Sequence, residues 1–268
     1  DRWQGTVMLV AQPAEERGGG ARAMLEDGLF QRFGKPDYAL ALHVDPTLAA
    51  GSVSCRQGYA MAQGGALIRW NLRTGERRNI RPPSPDAETK LRFNWNAALA
   101  LDPFDPATIY YGSQFVHKST DRGATWTAIS GDLTSNNPDW QIYKESGGLT
   151  YDVTAAENFT TIIAIAPSPL ERGTIWVGTD DGRIHLTRDG GASWDRIDGR
   201  ARGVPAGTWV PMIAPSPHDA GSAYIVFDNH RRGDFRPYLY RSRDYGRSWE
   251  NLADDAIDPR SIECLAIS

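Results

Sequence analysis

Cysteine is almost missing from this chain. Only Cys55 and Cys264 occur in 268 residues, far apart and without CxxC spacing, so thiols can build neither a metal knuckle nor a disulfide framework. Both read as unpaired. Long hydrophobic runs are missing too: none approaches the ~18 to 20 residues that cross a bilayer, and no charged-apolar-small leader opens the chain at Asp1. A membrane span is not expected, and the compartment stays open. Basic stripes interleaved with aromatics do not occur, and a net charge of −4 is mild for this length, which argues against DNA or RNA as partners. The 40% of hydrophobic residues suffices for one or two cores, so a soluble globular protein is expected.

What is present is repetition. Ser119-Thr-Asp-Arg-Gly-Ala-Thr-Trp126 returns as Thr187-Arg-Asp-Gly-Gly-Ala-Ser-Trp194 and as Ser242-Arg-Asp-Tyr-Gly-Arg-Ser-Trp249. Each copy has a hydroxyl residue, Asp two places on, Gly two further, then a second hydroxyl and Trp. The pattern predicts a hairpin turn in which the carboxylates of Asp121, Asp189 and Asp244 accept backbone N–H bonds. Gly123, Gly191 and Gly246 take positive φ, and Trp126, Trp194 and Trp249 fold back as plugs. The role expected of these residues, with Ser119, Thr187 and Ser242, is structural. Apolar strands ending in proline precede each turn. Pro103, Pro167 and Pro215 mark corresponding points 64 and 48 residues apart, the range of one four-stranded propeller blade with loop insertions. Three full blades and two partial ones are expected, the first partial one beginning with a hairpin over 66–80 and the last at Ile262–Ile267. Such a ring is unclosed, and its open blade edges favour self-association.

Before residue 64 the grammar differs. Thr6–Ala11 reads as a buried strand that runs into Glu15 and Glu16, a helix broken at Gly28 follows over 21–33, and a second buried strand ends in His43. Two carboxylates and an imidazole at strand ends suit a metal site with a general base beside it; they equally suit a solvated Glu pair opening a helix and an ordinary strand-end His. The fold class is therefore mainly β, a partial Asp-box propeller of three to four blades over 64–268 preceded by a short α/β fragment over 1–63.

Two resemblances follow. Trp3-Gln-Gly-Thr-Val7, Gln12-Pro-Ala-Glu-Glu16, Gly19–Leu29 and Ala41-Leu-His-Val44 resemble the metal-dependent amidohydrolases of the aminoacylase and carboxypeptidase type, which include N-acyl-amino-acid and hippurate hydrolases. The resemblance implies Glu15 as general base, Glu16 and His43 as metal ligands, and Zn or Mn as cofactor if the site is completed, since the family's other ligands have no counterpart here. Residues 64–268 resemble the sortilin-like Asp-box, or bacterial neuraminidase repeat, propellers, which implies a secreted or periplasmic module that binds protein or glycan without catalysis. Its expected binding loop lies within 134–158 and carries Trp140, Tyr143, Glu145, Tyr151 and Asp152. Two enzymatic alternatives stay open, an amidohydrolase and a propeller glycosidase. For the latter, Asp152, Glu157, Asp180 and Asp181 are available on loops expected to be solvated, and Arg200, Arg202, Arg231, Arg232 and Arg236 read as loop charges. No linker separates the halves at 62–65, so a natural fusion and a recombined reading frame are both compatible with the sequence.

Overall fold

The computed structural model describes residues 20–34, 67–71, 74–141 and 158–253. The chain divides into two units, 1–61 and 62–268. In the first, α1 (Gly20–Glu26) and α2 (Leu29–Phe33) are separated by Gly28, whose φ of 83° lies in the left-handed region. The break expected at Gly28 is present because only a residue without Cβ enters that region at low cost. Both strands read before residue 64 lie outside the described residues.

The second unit is built from three four-stranded antiparallel sheets, each a simple meander. Blade 1 contains β3 (Leu99–Asp102), β4 (Asp105–Gly112), β5 (Val116–Ser119) and β6 (Thr127–Ala128). Blade 2 contains β7 (Ile162–Pro167), β8 (Ile175–Thr179), β9 (Ile184–Thr187) and β10 (Asp195–Arg196). Blade 3 contains β11 (Trp209–Pro215), β12 (Ala223–Asn229), β13 (Asp234–Ser242) and β14 (Glu250–Asn251). The fold is a mainly β, unclosed propeller.

Alternation along each strand sends side chains to two neighbours in turn. From blade 1, Tyr110 and Ala98 face blade 2 and pack with Ile162, Ile175 and Val177. From blade 2, Trp176, Ala164 and Ala166 face blade 3 and pack with Val210, Ile213, Ile225 and Phe227. The blades meet most closely at glycine. A Cβ on Gly112 would lie 2.9 Å from Ile162 Cγ2, and one on Gly178 would lie 2.6 Å from Val210 Cγ1 and 2.8 Å from the Val210 carbonyl oxygen. The second strand of one blade therefore presents bare backbone to Ile162 or Val210 on the first strand of the next. In blade 3 the same register position, opposite Met212 as Gly178 is opposite Ala164, holds Val226.

The three repeated turns share one geometry. Asp121 accepts from the Thr125 N–H at 2.8 Å and the Thr125 hydroxyl at 2.7 Å; Asp189 and Asp244 accept from Ser193 and Ser248 in the same way. The leading hydroxyl accepts from the glycine N–H and donates to the Asp, as from Ser119 Oγ to Asp121 at 2.8 Å. Gly123, Gly191 and Gly246 have φ of 83°, 99° and 75°. Those three glycines also touch the preceding sheet, at Ile80, Ile129 and Ile197 respectively. Trp126 Nε1 donates to the Ile80 carbonyl at 2.7 Å and Trp194 Nε1 to the Ile129 carbonyl at 2.9 Å.

Ile80 thus plays the part of Ile129 and Ile197. Its N–H bonds the Leu67 carbonyl just as those of Ile129, Ile197 and Leu252 bond the carbonyls of Val116, Ile184 and Leu239. The hairpin of β1 (Ile68–Trp70) and β2 (Arg77–Asn79) is therefore the outer half of a preceding blade. The further cycle expected at Ile262–Ile267 lies outside the described residues.

Trp249 departs from the pattern. It meets Trp176 edge-on at 6.2 Å between ring centroids, and its buried Nε1 has no hydrogen-bond partner. We expect Trp194→Phe to cost about 1 kcal/mol more than Trp249→Phe, because only the former breaks a made hydrogen bond while the latter removes an unsatisfied donor. Paired urea denaturation curves measure this; equal losses would contradict it.

Acid should weaken all three turns. Hydrogen bonds from Thr125 hold Asp121 down at about 2, and those from Ser193 hold Asp189 at about 2, against an ordinary 3.8. For Asp244, burial pulls upward but the Ser248 bonds outweigh it, and the net direction is down. Carboxyls depressed on folding contribute stability above their unfolded value and lose it as pH falls through the folded one. Their contribution should hold above pH ~4 and vanish towards pH ~2, as denaturation midpoints across that window would report.

Candidate functional site

Each blade has two rims. The repeated turns and the turns joining first to second strands lie on one; the turns joining second to third strands, and the long connections between blades, lie on the other. Insertions crowd this second rim, which is where a repeat array commonly carries its binding face.

At its centre is a buried polar cluster around Asp180 and Asp181, in the turn after β8. Asp180 is 0% exposed. Its carboxyl accepts from the Thr161 N–H at 2.8 Å, the Thr161 hydroxyl at 2.5 Å and Asn94 Nδ2 at 3.0 Å. Asp181 accepts from the Ser135 N–H at 2.6 Å and from the Thr179 hydroxyl at 2.5 Å. Asn94 and Ser135 flank blade 1, whereas Thr161 and both carboxyls belong to blade 2, so the pair ties two blades together. The expectation of solvated loop carboxylates is corrected here: the loop is short, and the connection from blade 1 closes over it.

Burial, then the neighbouring Asp181, push the Asp180 carboxyl up to about 8. A protonated Asp180 can donate to the Thr161 oxygen, which in turn can reach the Asn158 carbonyl at 3.5 Å. The arrangement suits a shared proton and a closed blade contact. It leaves no carboxyl oxygen directed at solvent for general acid or base work.

Beside the cluster runs an aromatic row. Trp140, at the end of a short 3₁₀ turn over Pro138–Trp140, meets Phe159 edge-on at 5.8 Å; Phe159 lies 5.9 Å from Trp209; and the Arg231 guanidinium stacks 3.7 Å from the Trp209 ring. Arg231 is also 3.5 Å from the Asp228 carboxylate. Phe159 and Gln141 border a shallow polar cleft of about 100 Å³ with Lys90, Arg92 and Asn158. Arg92 is tied at 2.7 Å to Asp132 and at 3.1 Å to the Thr160 carbonyl.

Of the expected binding loop, Trp140 is placed on this rim; Tyr143, Glu145, Tyr151 and Asp152 lie outside the described residues, as does Glu157. Glu15, Glu16 and His43 lie outside them also. Among the described residues no group of three His, Cys, Asp or Glu could hold a metal ion. The arginines do not converge. Arg200 donates to the Gly246 carbonyl, Arg232 to that of Ala206, and Arg236 pairs with Asp234 at 2.8 Å. Asn94, Ser135 and Thr161 carried no mark in the sequence, since they join Asp180 and Asp181 only through folding. Among the described residues, no helix is long and apolar enough to cross a membrane.

A model of peptidase family M20/M25/M40 matches residues 1–240. The N-acetyldiaminopimelate deacetylase of Oceanobacillus iheyensis is 48% identical over 62 residues, 23% of this chain and 16% of that protein. A probable oligoxyloglucan-reducing end-specific xyloglucanase of Neosartorya fischeri is 27% identical over 179 residues, 66% of this chain and 19% of that protein. Among solved structures, an ancestral GH74 enzyme aligns with a TM-score of 0.41 and 19% identity over 67% of this chain and 21% of its own. The chain thus spans less than a fifth of the length of these curated relatives. Within the family match, residues 99–240 form antiparallel blades.

The cluster sets a pH dependence opposite in sign to that of the turns. A carboxyl raised on folding contributes stability below its unfolded pKa and loses it as pH rises through the folded one. The contribution of Asp180 should therefore be full below pH ~4 and fall towards pH ~8. Asp180→Asn should flatten the urea midpoint between pH 5 and 8.5 while costing about 1–3 kcal/mol at pH 5 through the mismatched donor. A slope unchanged in the variant would overturn the assignment.

Proposed function

The chain belongs to peptidase family M20/M25/M40, and from that footing we propose that it joins an incomplete amidohydrolase-like segment, residues 1–63, to a non-catalytic Asp-box propeller, residues 64–268, that binds glycan or protein. The observation carrying this reading is the state of the carboxyl pair on the loop-rich rim. Asp180 and Asp181 are closed over as a tie between blades, while Trp140 stands half-buried at the rim, packed on the buried Phe159 and Trp209 and beside a polar cleft. Rings flanked by amides and guanidinium groups suit a sugar or an extended peptide. The repeated turns are assigned as Asp boxes of the sortilin-like type, and their role is to dock each blade on its neighbour. The likeness to a xyloglucanase supports glycan as the class to test first.

A second reading, metal-dependent hydrolysis of N-acyl amino acids, is favoured by the 48% identity to a deacetylase over 62 residues. Glu16 and His43 would hold Zn or Mn, with Glu15 as base. Two protein ligands fall short of the three that catalytic zinc sites use, so no step is derived through a metal.

The test uses the whole chain. Xyloglucan oligosaccharides should bind saturably by calorimetry, release no new reducing ends, and bind about five- to tenfold more weakly to Trp140→Ala, the range of one lost aromatic contact. New reducing ends would replace the reading with a glycosidase. Acetate released from N-acetyl amino acids in the presence of Zn, and lost in Glu15→Ala, would move the amidohydrolase to first place.

A further inference from the structure

On the loop-rich rim, Arg92, Arg183, Arg232 and Arg236 each donate to a carboxylate or a carbonyl at 3.2 Å or less. Arg231 differs. It sits in the short 3₁₀ turn His230–Arg232 between β12 and β13, and among the described residues its nearest acceptor is Asp228 Oδ2, 3.5 Å from Nη1. That carboxylate lies nearer to His230, whose ring Nδ1 is 2.5 Å from Oδ2 and whose N–H bonds Oδ1 at 3.0 Å. The edge formed by Nε and Nη2 of Arg231 makes no hydrogen bond among the described residues.

The guanidinium is nonetheless fixed, stacked 3.7 Å from the Trp209 ring. The Arg231 side chain is 21% exposed and that of Asp228 4%, so an arriving ligand meets the cation before the acid. A guanidinium held flat on an indole with one edge unbonded is prepared for a planar carboxylate, which it takes through two parallel N–H bonds. Through Trp209 and Phe159 it is continuous with Trp140. Thr160, beside Phe159, is a β-branched residue at φ 59°, held there by bonds from Gln141 Nε2 to its hydroxyl at 3.0 Å and from Arg92 Nε to its carbonyl at 3.1 Å. Strain of this kind persists where the surroundings impose it, and it gathers at ligand sites. Asp139 is exposed next to Trp140. Charge therefore orients a ligand along the row, its anionic group at Arg231 and a neutral unit at Trp140.

We propose that Arg231 anchors the carboxylate of a uronic-acid unit, so that the glycan taken by this rim is an acidic one. The assignment rests on the glycan reading above and narrows it. A glutamate side chain offers the same two oxygens, but a sugar also brings the apolar ring face that suits an indole at the other end of the row.

Trigalacturonate and its methyl ester carry the same rings with and without the charge. By calorimetry at low ionic strength, the whole chain should bind the acid at least about tenfold more tightly than the ester, the factor that 1.4 kcal/mol makes. Added sodium chloride should narrow the gap. Arg231→Gln should bring the acid down to the level of the ester and leave the ester unchanged, whereas Arg231→Lys, which keeps the charge without the fork, should retain part of the preference. Far-UV circular dichroism checks that both variants fold. Equal binding of acid and ester, or a preference that survives Arg231→Gln, overturns the anchor and leaves the glycan reading standing. Binding of neutral xyloglucan oligosaccharides alone does the same. Tighter binding of a hexaglutamate peptide than of trigalacturonate moves the rim to acidic peptides and overturns the proposal, and binding of none of these sugars overturns both readings.

Discussion

The structure depends on blades approaching one another to backbone distance. At Gly112 and Gly178 the second strand of one sheet presents no side chain, and Ile162 and Val210 of the next sheet pack directly on its backbone. Tyr110 and Trp176 fill the space beside it. The tryptophans of the first two repeated turns reach across the outer edge to a carbonyl that this spacing brings within 2.9 Å. Because dispersion falls steeply with a gap of even half an ångström, close approach converts many small contacts into the cohesion that the short outer strands could not provide alone.

Much of this was legible in the amino-acid order. In each repeated turn the Asp carboxylate and both hydroxyls are satisfied within eight residues, so hydroxyl, Asp, Gly and hydroxyl at fixed offsets describe the turn itself. The break at Gly28 was legible for the same local reason. Long-range features were not. Asp180 and Asp181 sit in a turn that looks solvent-facing, and their burial comes from Asn94 and Ser135, 86 and 46 residues away. The hairpin over 68–79 was expected to open a partial blade, and the shared bonding of Ile80, Ile129 and Ile197 shows that it is the outer half of one. The unpartnered Nε1 of Trp249 was invisible as well, since the ring it meets, Trp176, belongs to the preceding sheet.

The two parts of the chain make different chemical demands. A metal-dependent amidohydrolase needs carboxylates and imidazoles held open towards a substrate, whereas the propeller closes its most buried carboxylates over as ties between sheets. An antiparallel meander also has no strand ends converging on one crevice in the way a parallel sheet does. On the rim with Trp140, the buried carboxyls of Asp180 and Asp181 are committed to holding the blades together.

Val226 carries a geometric consequence. At its counterparts Gly112 and Gly178 the neighbouring sheet packs on bare backbone, whereas in blade 3 a branched side chain stands at that position. The repeated turns, whose carboxylates bond in the same way before and after it, do not reveal that difference.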